Sequence, residues 1–223
     1  MSRSTTTARP KRKSPPASIL FHADSSDPEM LYFSRFQAFD PYLAFSVGKK
    51  KFGIAHASEF DRMTTESAFD EILLLPDVRK ETVRRFKLPK DAVPTDCQIV
   101  RHLAKIYHIR DFRVGARFPA GLAFELRDAG LKITPARDGE LLPQRIVKTA
   151  EEVELLRKGN LASAAGFRAV AKALAESTVR RGQLIHQGRI LTSERLRELI
   201  NLAALEKGAV AARTVAASGD QAC

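Results

Sequence analysis

Thr149-Ala-Glu-Glu152 has the form of a capping box, in which the threonine hydroxyl accepts from the amide three residues on and the glutamate reaches back. From there Val153, Leu156, Asn160, Ala164, Phe167, Val170 and Leu174 recur at helical spacing. A helix running to Ser177 is far longer than the mean of about 11–12 residues. So long a stripe demands a partner surface, and Ala162 to Ala165 make the helix thin-walled, as close packing requires. After it one more helix is legible, capped by Thr192 or Ser193, with Leu196, Leu199, Ile200 and Ala203 inward and an end at Gly208. Ala211 to Ala216 then reads as a strand and Ser218-Gly219-Asp220 as the turn after it. These elements are too few to cover the stripe. Residues 149–223 are therefore expected to form the incomplete start of a second domain, whose long helix keeps exposed apolar surface unless another chain covers it.

The preceding residues can close on themselves. SILF reads as a first strand, ended by Asp24, Ser25, Ser26, Asp27 and Pro28, and MLYFSRF follows as a compact aromatic segment. YLAFSV and KFGIAH, joined at Gly48-Lys49-Lys50, alternate Leu43, Phe45 and Val47 with Phe52 and Ile54 as paired strands do. Ser58 is placed to cap a helix to about Phe69, and EILLL, stopped by Pro76, reads as a buried central strand. Thr95-Asp-Cys-Gln98 is a second capping box, with Ile99, Leu103 and Ile106 following at helical spacing. A strand FRVG, a helix from about Pro119 to Ala129 ended by Gly130, and a short strand from Lys132 to Thr134 complete the series. Strands alternating with helices predict an α/β unit over 17–140, with a mixed or parallel sheet covered on both faces, and a linker over 141–148.

Charge excludes less than it suggests. Of the net charge of +11, five units belong to Arg3, Arg9, Lys11, Arg12 and Lys13 in the Ser-, Thr- and Pro-rich start, and six are read as spread over the remainder. Residues 1–16 cannot bury enough apolar surface to order themselves, which predicts a disordered basic tail; a PKRK nucleic-acid patch and a transit peptide are the two alternatives. No basic run with interleaved aromatics is evident, so composition does not point to nucleic acid. No run approaches the roughly 18 apolar residues of a membrane span. Cys97 and Cys223, far apart, fit a reducing compartment, and a cytoplasmic location is expected.

The titratable residues form no convincing site. His22, Asp24 and Asp27 straddle a strand end and a proline turn, which is turn chemistry before it is metal ligation. His56 with Glu59, and His102 with His108, lack chelating geometry, the latter pair being six residues apart on one helix. His186 stands in QLIHQGR, a polar loop with no carboxylate nearby, and is expected to be solvated or backbone-bonded. Ser218 lacks a G-x-S-x-G elbow, and Cys97, in a first helical turn, lacks a partner histidine signature. Neither a P-loop nor G-x-G-x-x-G occurs. No catalytic, cofactor-binding or metal-binding residue is assigned.

RIVKTAEEVELLRKGNLASAAGFRAV, residues 145–170, resembles the helix that opens the catalytic domain of the Xaa-Pro peptidases, the group of prolidase, aminopeptidase P and creatinase. Arg145, Lys148, Thr149, Glu152, Val153, Leu156, Arg157 and Lys158 stand where that pattern has Arg, Lys, Ser/Thr, Glu, Ile/Val, Leu/Ile, Arg and Lys. LTSERLRELINLAALEKGA and ARTVAASGDQAC are similar to the next helix and strand of the group, and residues 19–62 to its amino-terminal domain. The resemblance implies a creatinase-type amino-terminal domain, a ribonuclease-H-like mixed sheet with helices on both faces, followed by the first part of an α+β pita-bread domain. It implies a homodimer and peptide substrates with proline second. It also implies two divalent metal ions (Mn or Co) held by two Asp, a His and two Glu, all beyond Cys223. The expected function is thus the amino-terminal part of an Xaa-Pro-type metallopeptidase, inactive as this fragment; the alternative is a non-catalytic peptidase-like protein-interaction module.

Overall fold

The computed structural model describes residues 17–137 and 140–217, and the chain divides into two compact units, with the boundary in sequence between Ile146 and Val147. The tail over 1–16, the turn Ser218-Gly219-Asp220 and Cys223 lie outside the described residues. In the first unit the strands β1 (Ser18–Ala23), β2 (Tyr42–Val47), β3 (Lys50–Ala55), β4 (Glu71–Leu74), β5 (Asp111–Val114) and β6 (Lys132–Pro135) form one six-stranded sheet. Its order is β4-β3-β2-β1-β5-β6. The ladders β1–β2 and β2–β3 are antiparallel, and β3–β4, β1–β5 and β5–β6 parallel. Gly48 takes the positive φ of 60° that a two-residue turn with glycine first requires.

The helices follow from local chemistry. In α1 (Pro28–Ser34) Asp27 caps by accepting from the amides of Glu29 and Met30. The capping box at Thr95 and Gln98 opens α4 (Asp96–Ile106), and α5 (Ala120–Asp128) lies between β5 and β6. Two expectations change. The helix α2 (Phe60–Glu66) starts after Glu59 and has no capping side chain, so Ser58 does not cap it. EILLL is not central: β4 lies at the sheet edge and all four of its residues are half-buried. Pro76 ends that strand and also sits in the first turn of a helix absent from the sequence reading, α3 (Leu75–Phe86). Proline's fixed φ suits a first turn as well as it stops a ladder, so one residue carried both signals.

Alternation along β1, β2 and β3 sends side chains to two cores. Leu20, Leu43, Phe45, Phe52 and Ile54 pack under α3, α4 and α5, with Phe45 and Phe52 in register and their rings stacked at 4.7 Å. Phe21, Tyr42, Ala44 and Ala55 pack on the other face against Met30 and Phe33 of α1 and Met63 of α2. Burying each large apolar side chain contributes about 1.5–3 kcal/mol, so strands covered on both faces anchor the unit.

The second unit begins with α6 (Ala150–Ala175), whose capping box is formed: Thr149 Oγ1 accepts from the Glu152 amide at 3.2 Å and Glu152 Oε2 from the Thr149 amide at 2.9 Å. A three-stranded antiparallel sheet follows, β7 (Thr178–Arg180), β8 (Gln183–His186) and β9 (Arg189–Ile190), and then α7 (Ser193–Leu205), capped by Thr192. The sheet was not foreseen in the sequence, although Arg181-Gly182 and Gln187-Gly188 were its signal. Both residues of each pair have positive φ, as a two-residue hairpin turn between right-twisted strands demands. The expected strand over 211–216 is not formed. A strand needs a ladder partner, and the described residues offer it none.

Candidate functional site

Several of the titratable residues singled out in the sequence have structural partners. His22 Nε2 lies 3.0 Å from Asp96 Oδ2, joining β1 to the start of α4, and this hydrogen bond holds the Asp96 carboxyl below its ordinary range. Asp24 accepts from the Ser26 amide at 2.7 Å, and Asp27 caps α1. The three residues therefore do not converge: Asp24 and Asp27 serve the turn, and His22 ties β1 to α4. Glu59 pairs with Arg62, not with His56. His102, buried on α4, has its Nε2 3.4 Å from Glu81 Oε2 on α3, while His108 stands exposed beyond the end of α4. Cys97 is buried, and desolvation pushes its thiol up, which disfavours the thiolate that a nucleophile needs.

His186 differs from its expected role. It is buried on β8, with Nε2 3.4 Å from Glu176 Oε2. Ten residues of sequence separate the two, and the β7–β8 turn folds them together where linear spacing suggested a solvated loop. Lys51, which no sequence motif marks, is half-buried, and desolvation shifts its ammonium down. It donates to the Phe33 carbonyl at 2.9 Å and lies 5.0 Å over the Phe33 ring, an anchoring role.

The resemblance to metallopeptidases implies a dinuclear metal centre, which needs several convergent oxygen and nitrogen donors with their own supports. Among the described residues no three His, Cys, Asp or Glu side chains come together. These residues do not fit such a centre, and no step through a metal follows from them.

What the second unit presents instead is an apolar face. The small residues of α6, Ala162, Ala165, Gly166 and Ala173, are buried, and Gly166 faces Ile200 of α7. The larger residues of the same helix point outward: Phe167 is 78% exposed and Leu156 52%. Helices that approach closely bury their small side chains, so the stripe read from the sequence is displaced to the outside, as expected if its cover is not supplied by these residues. A hollow of about 410 Å³ opens between Ala162, Phe167, Ile200 and Val215.

Neither a family model nor a curated protein sequence matches the chain. Solved structures do. An Xaa-Pro dipeptidase from Bacillus anthracis superposes with a TM-score of 0.60 at 12% identity, over 85% of this chain and 44% of that one. The fold is shared with Xaa-Pro peptidases. An X-Pro aminopeptidase from Thermotoga maritima MSB8 gives 0.58 at 14% identity over 86% and 47%, and the prolidase from Pyrococcus furiosus 0.55 at 11% over 85% and 45%. The expected class, a creatinase-type mixed sheet followed by the first part of a pita-bread domain, is the fold observed. The chain spans less than half the length of these structures. Among the described residues no helix is long and apolar enough to cross a membrane.

Proposed function

We propose that this chain is the amino-terminal part of an Xaa-Pro-type metallopeptidase and that it hydrolyses no peptide as it stands. The reading is supported by a structural likeness that covers 85% of the chain but only 44% of the dipeptidase, together with the lack of a convergent donor set among the described residues. Divalent ions would supply the activation of the attacking water in such hydrolysis, and the described residues present no ligand set that would hold them. Where the reading frame continues beyond Cys223, it is expected to supply two Asp, a His and two Glu; a continuing frame that lacks them counts against the family reading. The purified chain, incubated with an Xaa-Pro dipeptide and Mn²⁺ or Co²⁺, is expected to release no proline. Turnover that a chelator abolishes would refute the proposed silence. The same reading makes the chain a cytoplasmic homodimer, for which sedimentation should give twice the 24.7 kDa of one chain.

A second reading, a non-catalytic interaction module, is favoured by one observation, the outward-facing Leu155, Leu156, Leu161 and Phe167 of α6. It predicts a partner retained on a column of this chain and lost on Phe167→Asp, with no peptidase activity in any longer form. Proline release by the full-length gene product excludes it.

A further inference from the structure

Residues 79–110 contain nine lysines and arginines against Glu81, Asp91 and Asp96. Their excess equals the +6 left once the five cations of the tail are set aside, so the rest of the chain is neutral and its charge is not spread as the sequence suggested. Folding gathers much of it at one place. Arg85 at the end of α3, Arg101 and Lys105 on α4, and His108 and Arg110 beyond it line a hollow of about 870 Å³. No carboxylate lines the hollow, and none of its arginines or its lysine has an ion pair among the described residues. The floor is apolar, with Ala104, Ile109 and Leu131. The Arg101 guanidinium lies 4.9 Å over the Phe86 ring, which fixes it without using its N–H donors.

Cations near helix ends commonly offset carbonyl dipoles. That explains Arg85 and Lys105, in the last turns of α3 and α4. It does not explain Arg101, more than a turn before the end of α4, or Arg110 past it. The end of α4 is already closed by the amides of Tyr107 and Ile109, which donate to the carbonyls of Leu103 and Ala104. Like charges around one hollow repel one another, and an anion with several charges relieves that repulsion.

We propose that this hollow binds the phosphate groups of a nucleotide-sized organic polyphosphate. Its volume lies in the range of about 300–1,000 Å³ usual for small-molecule sites. Four guanidinium or ammonium groups meet the phosphates, planar guanidinium forks binding them bidentately, while the apolar floor takes an uncharged body. A nucleic-acid strand fits less well: successive bases need a row of aromatic platforms, and the lining holds one phenyl ring, Phe86, with Arg101 already over one of its faces.

Calorimetric titration of the full chain with ATP as probe, at about 50 and 200 mM salt, tests this. Saturable binding that weakens with salt is expected, because salt screens the attraction between the phosphates and the exposed cations. Arg101→Ala with Arg110→Ala should weaken it at least tenfold, and so should Lys105→Ala with Arg110→Ala, which leaves the Arg101–Phe86 contact intact. Arg12→Ala with Lys13→Ala in the tail should leave it unchanged. No saturable binding, or loss through the tail variant but neither hollow variant, overturns the proposal. So does an oligo-dT that binds more tightly than ATP and is lost with the hollow variants, which would mark an extended nucleic-acid surface.

Discussion

Helix α6 holds two glycines in different surroundings, and alanine at each isolates the closeness of its packing on α7. A Cβ at Gly159 would meet nothing within 4 Å, whereas one at Gly166 would lie 2.9 Å from Ile200 Cγ2 and 3.6 Å from Ile200 Cα. Carbon atoms settle at about 3.5–4.0 Å, so the second alanine must push its neighbour back by roughly half an ångström or more. Cγ2 branches directly from Cβ, which itself lies 3.6 Å away, so the isoleucine cannot simply swing its far end aside. Both substitutions gain about 0.5–1 kcal/mol of helix propensity. That gain cancels between them, leaving the overpacking cost of about 1–3 kcal/mol as their difference. Gly159→Ala should stabilise α6 and Gly166→Ala should destabilise it. The two units need not unfold together, so the proper assay is amide hydrogen exchange along α6 rather than a single melting curve. If Gly166→Ala slows exchange in α6 as much as Gly159→Ala does, the close α6–α7 approach is wrong.

Phe52→Ala should cost the first unit about 3–5 kcal/mol in urea unfolding, since the ring is buried and stacked on Phe45; a loss under about 1 kcal/mol would contradict the two-faced core. Thr149→Ala removes one half of the capping box and should raise exchange in the first turn of α6 by the equivalent of about 1 kcal/mol, with no change in β1 to β6. Burial pushes the Tyr42 phenol up to about 12 from an ordinary value of 10.0. Between pH 10 and about 12 the unfolded chain has then lost a proton that the folded unit keeps. Stability, fully present below pH 10, should fall across that window by about 2–3 kcal/mol in all. Tyr42→Phe should lack this decline, and an identical pH profile for both proteins would rule the assignment out.

Much of the architecture was legible because local chemistry wrote it twice. The hairpin of β2 and β3 had both alternating apolar residues and Gly48 at its turn, and α4 and α6 had both capping boxes and helical spacing. Where a single residue carried two meanings, reading failed: Pro76 marked a strand end and concealed the start of α3. The hairpins of β7, β8 and β9 were overlooked because their strands are too short to display alternation, and only the X-Gly pairs betrayed them.

By itself the sequence determined the β2–β3 hairpin and the capped starts of α4 and α6, since those depend on neighbours within a few residues. Only the tertiary structure decided which face each element shows. It turned the stripe of α6 outward and buried its small residues against α7, because helix contact selects for close approach rather than for hydrophobicity alone. It joined His186 to Glu176 and His22 to Asp96 across turns and strands. It also brought Arg85, Arg101, Lys105 and Arg110 together around one acid-free hollow at the ends of α3 and α4, because side-chain charges far apart in a linear chain become neighbours once helices pack side by side.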